Sequence, residues 1–478
     1  MKSLAKDTAI YGLSSIIGKF LNYLLVPLYT YALARTADYG IVTNIYAWTA
    51  LLLVILTYGM ETGFFRFVNR DDYDPKTVYK TAFMTLLCTS ALFTMLVIIF
   101  HQPLANVLGY PDHSEFVEMM FATVAIDAFA CIPFAYLRYQ KRPIVFAALK
   151  LLFVLLNIGF NILFLVVLGK NDVFYVFLSN ILATTIQTLC LLPLTLPRGG
   201  QFSAPVLKEM LRYSLPLLIL GVAGIMNQTL DRILFPYLYS GADAQAQLGI
   251  YGACFKVAMV MMMFTQAFRY AYEPFVFAKH KDRQSVEAYA DAMKYYIIFS
   301  YLILLGVIFY LDIFRYIISD AYWEGLKIVP VVLWTYVFQG IYFNLSFWYK
   351  LTDETKWGAY FSLIGLVITL VLQIVGVPRI GYWASCGSSL VCYLCIMLLS
   401  YFIGQKKAPI PYDLKSIGLY TLLTIALLGV YYAVRLQTHW NMWILMAIGT
   451  VLLGIYLIVL TRKDFPLSGL PVVGKYFK

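Results

Sequence analysis

The chain has 478 residues, of which 61% are hydrophobic and only 13% charged, and its mean hydropathy is +0.76. That composition excludes an ordinary soluble globular domain and points to a polytopic membrane protein. The formal net charge of +11 invites a nucleic-acid reading, which the distribution of the basic residues makes unnecessary.

Windows of about 20 residues, the length needed to cross a hydrocarbon core of roughly 30 Å, predict an all-α protein of about fourteen spans. These fall near 8–33, 41–67, 78–100, 115–138, 143–168, 172–196, 211–239, 247–275, 289–310, 326–349, 357–377, 380–404, 414–434 and 440–461. The sixth carries many Ser, Thr and Asn positions, and the twelfth follows a very short turn at 377–382. Alternate loops hold 25 of the 36 Lys and Arg residues. The opposite loops hold only Arg35, Lys170, Arg315, Lys327, Arg379 and Arg435. By the positive-inside rule both termini are expected in the cytoplasm. The first apolar segment has no signal-peptide cleavage pattern and is expected to be retained. No hydrophilic stretch exceeds about 20 residues, which leaves no room for a separate soluble catalytic domain.

The remaining five basic residues, Lys19, Lys150, Arg232, Lys256 and Arg269, sit inside predicted spans. A charge at membrane depth costs at least ~2.5–3.5 kcal/mol, so each marks a candidate pathway or site. In the first span Thr8, Tyr11, Ser15, Lys19 and Asn22 share one helical face. Lys19 lies roughly 16 Å in at 1.5 Å per residue, too deep to snorkel easily. It is expected either to line a cavity or to partner a buried carboxylate. Glu61 and Arg66, toward the cytoplasmic end of the second span, suggest a structural or gating ion pair.

In the fourth span Asp127 lies near mid-depth, where a carboxylate is suited to a coupling H+ or Na+ or to serving as the counter-ion of Lys19. The fifth stacks Lys150, Asn157 and Asn161 on one face, with Lys150 placed for either snorkelling or function. The seventh offers Asn227, Gln228, Asp231 and Arg232, read as a local ion pair, an interfacial anchor or a site. In the eighth, Lys256 shares a face with Met259, Met263, Gln266, Tyr270 and Glu273, while Arg269 reaches Glu273 one turn on. The carboxylates Asp127, Glu61, Asp231 and Glu273 form the candidate ion-coupling set.

Seven cysteines lie in apolar segments, and the CxxC pair Cys392–Cys395 reads as structural thiols in mid-helix. The four histidines lack metal-ligand spacing, so no metal site is expected. GLSSIIGKF resembles a phosphate-binding loop, but five residues separate Gly12 from Gly18 and Phe20 stands where Ser or Thr is required. No ATP site and no cofactor are expected.

The chain repeats at an offset of 209 residues. Pro27 and Pro236 each end a span in a Tyr-rich run, and thirteen residues later Gly40 or Gly249 opens the next helix as YGIV or LGIY. This suggests two six-helix lobes, 1–200 and 201–408, with 409–478 adding two spans and a cytoplasmic tail.

YGLSSIIGKFLNYLLVPLYTYAL with YGIV, YGMETGFFRF, YSLPLLILGVAGIMNQTLDRILFPYL, LGIYGACFKVAMVM and FRYAYEPFVF together resemble the polysaccharide-transporter (Wzx-like flippase) branch of the multidrug/oligosaccharidyl-lipid/polysaccharide exporter superfamily. The resemblance implies two six-helix lobes forming a V around a cavity that opens alternately to either face. It also implies a bacterial cytoplasmic (inner) membrane flippase for a polyprenyl-pyrophosphate-linked oligosaccharide of surface polysaccharides such as lipopolysaccharide, working without covalent chemistry. Fourteen spans are similar to the lipid II flippases, whose first helices carry several cavity arginines. Lys19 stands alone there, which favours a different lipid-linked glycan. Lys19 and Lys256 would be the principal phosphate contacts, with Asn22, Lys150, Arg232 and Arg269 beside them. The implied partners are the lipid-linked glycan, membrane lipids and H+ or Na+, with no nucleic acid. The alternative is a cation-coupled multidrug exporter, and a membrane-embedded glycan polymerase would require larger external loops.

Overall fold

A computed structural model describes residues 17–18, 20–278, 283–352, 354–438 and 440–465. Among the described residues the chain is helical and contains no strand. The first helices are α1 (Leu25–Ala32), α2 (Thr36–Thr57), α3 (Met60–Val68), α4 (Pro75–Leu108), α5 (Ser114–Tyr139) and α6 (Pro143–Asn161), the last continued by a π-helical turn at Ile162–Val167. Then come α7 (Val173–Thr195), α8 (Ala204–Leu238), α9 (Ala244–Val257), α10 (Met259–Ala278), α11 (Arg283–Phe309) and the short α12 (Leu311–Phe314). Two 3-10 segments, Arg315–Ile317 and Asp320–Ile328, lead into α13 (Val329–Leu345), α14 (Phe347–Leu351), α15 (Lys356–Ile380), α16 (Tyr382–Lys407), α17 (Leu414–Gln437) and α18 (Met442–Lys463).

Twelve helical segments are long and apolar enough to cross a membrane, or thirteen if α9 and α10, broken at Ala258, count as one span. These correspond to thirteen of the fourteen expected spans. The first, 8–33, is described at 17–18 and 20–33, and α1 is its end. The sixth span keeps its polar residues for a physical reason. Ser179, Thr184 and Gln187 of α7 are buried, and Gln187 Nε2 donates to the Leu149 carbonyl of α6 at 2.9 Å, so the amide is satisfied within protein.

Local chemistry sets the helix ends. Asp74 caps α4 by accepting from the amides of Lys76 and Thr77, with Pro75 fixing the first turn, and Gly109 ends the helix at φ +83°. Ser203, Asp413 and Asn441 cap α8, α17 and α18 in the same manner. Tyr58 and Gly59, both at positive φ, break the second span into α2 and α3. A side chain at Gly59 would press on the Ser214 carbonyl of α8, so glycine serves both the turn and the close approach.

The chain packs as two compact units, Met1–Lys256 with Lys356–Cys392, and Val257–Thr355 with Tyr393–Lys478. The division by packing is discontinuous in sequence, whereas the one expected from the repeat (1–200, 201–408, 409–478) is continuous. In the first unit α5 packs along α4 and α7, and α8 packs along α2, α3 and α15. Tyr79 and Tyr136 stack with centroids 3.8 Å apart in an aromatic core that includes Phe64 and Phe67. In the second unit α11 lies against α13, α17 and α18. Lys294 of α11 reaches Asp464 just beyond α18 at 3.1 Å, and Tyr420 of α17 reaches the same carboxylate at 2.8 Å.

The 209-residue offset reappears as a contact within the first unit. A Cβ on Gly40 would strike the Gln245 carbonyl and approach the Gly249 amide, and a Cβ on Gly249 would strike the Thr36 carbonyl and approach the Gly40 amide. One step deeper, a Cβ on Gly252 would meet the Thr43 side chain. Each of these pairs is mapped onto itself or onto the other by adding 209. These contacts are reciprocal between α2 and α9. Only glycine permits backbones to meet this closely.

Candidate functional site

The first unit contains two cavities that sort the predicted residues by charge. One, of about 330 Å³, is lined by parts of α1, α2, α6 to α9 and the residues just before α1. Its charged lining residues are Arg232 and Lys256, and the rest of its polar wall is Asn22, Asn157, Asn180, Thr43, Thr229, Tyr29, Tyr39 and Tyr46. Among the described residues no carboxylate lines it. Lys256 and Arg232 lie within electrostatic reach of one another, and among the described residues no hydrogen bond or ion pair is formed by Lys256. Like charges facing one low-dielectric cavity repel, and an anion between them relieves both.

Arg232 is held from behind. Its Nε lies 3.4 Å from Asp231 Oδ1, its Nη2 donates to the Gln228 carbonyl, and its guanidinium sits 4.9 Å from the Phe255 ring centroid. Asp231 is buried outside the cavity wall and also accepts from Tyr251 Oη at 2.5 Å. Asn44 ties the neighbouring helices together, since its Nδ2 donates to the Arg232 carbonyl at 2.7 Å and its Oδ1 accepts from Tyr110 at 2.8 Å. Asn180 Nδ2 donates to Tyr46 Oη at 2.9 Å. The Asn180–Tyr46 part of the amide and phenol wall is therefore held in place before any ligand arrives.

The second cavity, of about 650 Å³, is lined by parts of α2, α3 and α5 to α8. Its charged residues are Glu61, Asp127, Arg138 and Lys150, so its formal lining charge is zero. Glu61 pairs with Arg138 and accepts from the Cys131 thiol at 3.3 Å. Lys150 places its ammonium 3.9 Å from the Phe134 ring centroid and, within electrostatic reach of Asp127, lines the same wall. Phe153 lines both cavities.

The polar face read along the fifth span is thus divided, with Lys150 in the second cavity and Asn157 in the first. Asn161 turns inward and donates to the Asn157 carbonyl at 2.8 Å. The expected partner of Glu61 was Arg66, and the structure corrects this. Five residues place the two side chains about 140° apart on a helix, so Arg66 stacks on Tyr213 at 4.1 Å while Arg138 of α5 takes Glu61. Sequence reasoning counted Arg138 among the topology-setting basic residues because it ends its span. Lys19 lies outside the described residues, as does the side chain of Glu273. Arg269, in the second unit, lies over the Phe343 ring at 5.0 Å and lines neither cavity.

Many apolar helices and interior cavities with charged walls define a multi-pass membrane protein with the fold of the multidrug/oligosaccharidyl-lipid/polysaccharide (MOP) exporter superfamily. The structure of a lipid II flippase, MurJ, in an inward closed conformation matches with a TM-score of 0.76 at 14% identity, covering 95% of this chain and 98% of that one. An inward-facing multidrug resistance transporter of the MATE family matches with a TM-score of 0.67 at 12% identity, covering 86% and 99%. A MOP-superfamily transporter from Pyrococcus furiosus, described by the reverse polarity of its binding pocket, matches with a TM-score of 0.56 at 15% identity, covering 84% and 95%. No curated protein sequence matches the chain. A family model does, over residues 33–314, and the chain belongs to that family, the polysaccharide biosynthesis proteins.

Proposed function

We propose that this protein is a flippase that carries a polyprenyl-pyrophosphate-linked oligosaccharide from the cytoplasmic to the outer leaflet of the bacterial cytoplasmic membrane, by alternating access between repeats 1–200 and 201–408. The observation that carries the reading is the first cavity, where Arg232 and Lys256 face a wall of amides and phenols with no carboxylate among the described lining residues. A diphosphate is the anion that such a wall suits. The guanidinium binds it through directed hydrogen bonds and the ammonium as a point charge, while Asn22, Asn157, Asn180 and the tyrosines offer partners for sugar hydroxyls. The polyprenyl tail stays in lipid, and only the polar head needs a path through hydrocarbon. Membership of a polysaccharide biosynthesis family and likeness in fold to a lipid II flippase support this reading.

Lys19, three residues before Asn22 in sequence, is the proposed third phosphate contact, with Lys150 and Arg269 as secondary ones. The second cavity has the composition of a coupling site, in which Asp127 and Glu61 exchange H+ or Na+ as access alternates; Asp231 and Glu273 are the further carboxylates of that set. Moving negative charge outward gains up to ~2.3 kcal/mol per charge per 100 mV of membrane potential.

The test is a strain lacking its own copy, complemented with Lys256→Ala and with the Arg232→Ala/Lys256→Ala pair. Surface glycan is expected to disappear while membrane protein levels hold, and full surface glycan from the double variant would defeat the reading. A second reading, a cation-coupled multidrug exporter, draws on the carboxylates Asp127 and Glu61. It requires the deletion strain to become sensitive to cationic drugs, whereas the flippase reading leaves drug sensitivity unchanged.

A further inference from the structure

The loops opposite the Lys-rich face hold six basic residues, and three of them, Arg315, Lys327 and Arg435, line one cavity of about 350 Å³ in the second unit. The cavity lies where α11 passes through α12 and the 3-10 segments into α13, against the last turns of α17. Its one lining carboxylate, Asp312, is fully engaged. Arg435 grips it with two hydrogen bonds of 2.9 Å and takes a third from its Nη1 to Tyr431 Oη at 3.1 Å. That pair is neutral and bolts α17 to the end of α11.

Arg315 and Lys327 are then left facing the cavity without a carboxylate among the described residues. Arg315 is held in place by two rings, 4.4 Å from the Trp323 centroid and 5.0 Å from that of Tyr316, and Trp323 Nε1 donates back to the Arg315 carbonyl at 3.0 Å. Its Nε is nevertheless buried with no acceptor. The residue is half-buried and its Nη2 donates to Tyr316 Oη at 3.1 Å, so the Nε is the donor left unfilled, at a cost of about 1–3 kcal/mol that an oxyanion within its reach would remove. The surroundings give the depth. Tyr316, Leu436, Trp440 and Trp443 are all strongly exposed around this end of the unit, the composition of a membrane–water interface.

We infer that this cavity binds the anionic phosphate of a lipid headgroup in the leaflet facing the Lys-poor loops, through Arg315 and Lys327, with the rim aromatics against the lipid's glycerol or chain. The inference rests on the distribution of basic residues and the local geometry, and does not depend on what the first cavity carries.

The experiment uses the purified full-length protein in detergent, incubated with phosphatidylglycerol or with zwitterionic phosphatidylcholine, and native mass spectrometry to count retained lipid. Wild type is expected to retain phosphatidylglycerol about tenfold more strongly, and Lys327→Gln and Arg315→Gln each to remove most of that preference. Lys327 is exposed, so its variant keeps the test open should Arg315→Gln fail to fold. Unchanged preference in Lys327→Gln would overturn the assignment. So would displacement of the lipid by inorganic phosphate alone, which would give the pocket to a free anion.

Discussion

The two cavities of the first unit share Phe153 as a common wall and differ in how their charges are answered. In the second, every charge has a counter-charge on the same wall, with Glu61 on Arg138 and Asp127 opposite Lys150. In the first, Asp231 sits behind Arg232 and already accepts from Tyr251, and among the described residues Lys256 has no answering charge. A balanced wall stays stable when the cavity is empty and can trade its cation for a proton or metal ion. An unbalanced wall is one that a ligand must complete. This contrast in composition is the basis of the proposal that the first cavity takes substrate and the second couples.

The comparison breaks most readily at Lys256. Joint replacement of Arg232 and Lys256 by alanine is expected to reduce glycan export to background, read as surface polysaccharide against membrane protein level. If Asp127→Asn does the same while the cation pair is dispensable, the roles of the two cavities are reversed. Next in size is Gly249→Val at the α2–α9 crossing. The added atoms meet backbone, an overpacking of about 1–3 kcal/mol, and are expected to lower the melting temperature in detergent and to prevent the crossing from closing, so transport falls sharply. Asp127→Asn should slow export several-fold and abolish its response to the ion gradient, measured in vesicles with and without that gradient. Glu61→Gln should have a smaller effect of the same kind, and the exchange Glu61→Arg with Arg138→Glu should restore part of it, since the pair keeps its charges. Smallest is Tyr46→Phe, which removes the acceptor of Asn180 and should cost about 1 kcal/mol of stability with modest loss of transport.

Much of this organisation was legible in the sequence. Length and hydropathy place thirteen of the spans because a helix in lipid must satisfy its own backbone and present an apolar surface. Helical phase and depth single out Lys256 and Asn22, which line one cavity, and Asp127, Glu61 and Lys150, which line the other. What periodicity conceals is which helix stands opposite. Arg138 reads as a topology marker because its partner is more than seventy residues away in sequence. Asn157 and Lys150 read as one site, although the α6 face they share fronts two cavities. The inward-facing polar stripe of α7 weakens its hydropathy as a span and strengthens its packing, since Gln187 finds its acceptor on α6.

The crossing of Gly40 and Gly249 also bears on how such a molecule arises. Two positions related by an internal repeat meet each other there, so the same glycine that serves the first copy is the surface presented to the second. A half-length chain carrying one such glycine would present a self-complementary groove to its twin, and a pair of identical halves would dock through it. In the single chain a side chain gained at either glycine strikes the backbone of the facing helix. The crossing is therefore a place where α2 and α9 are not free to change independently.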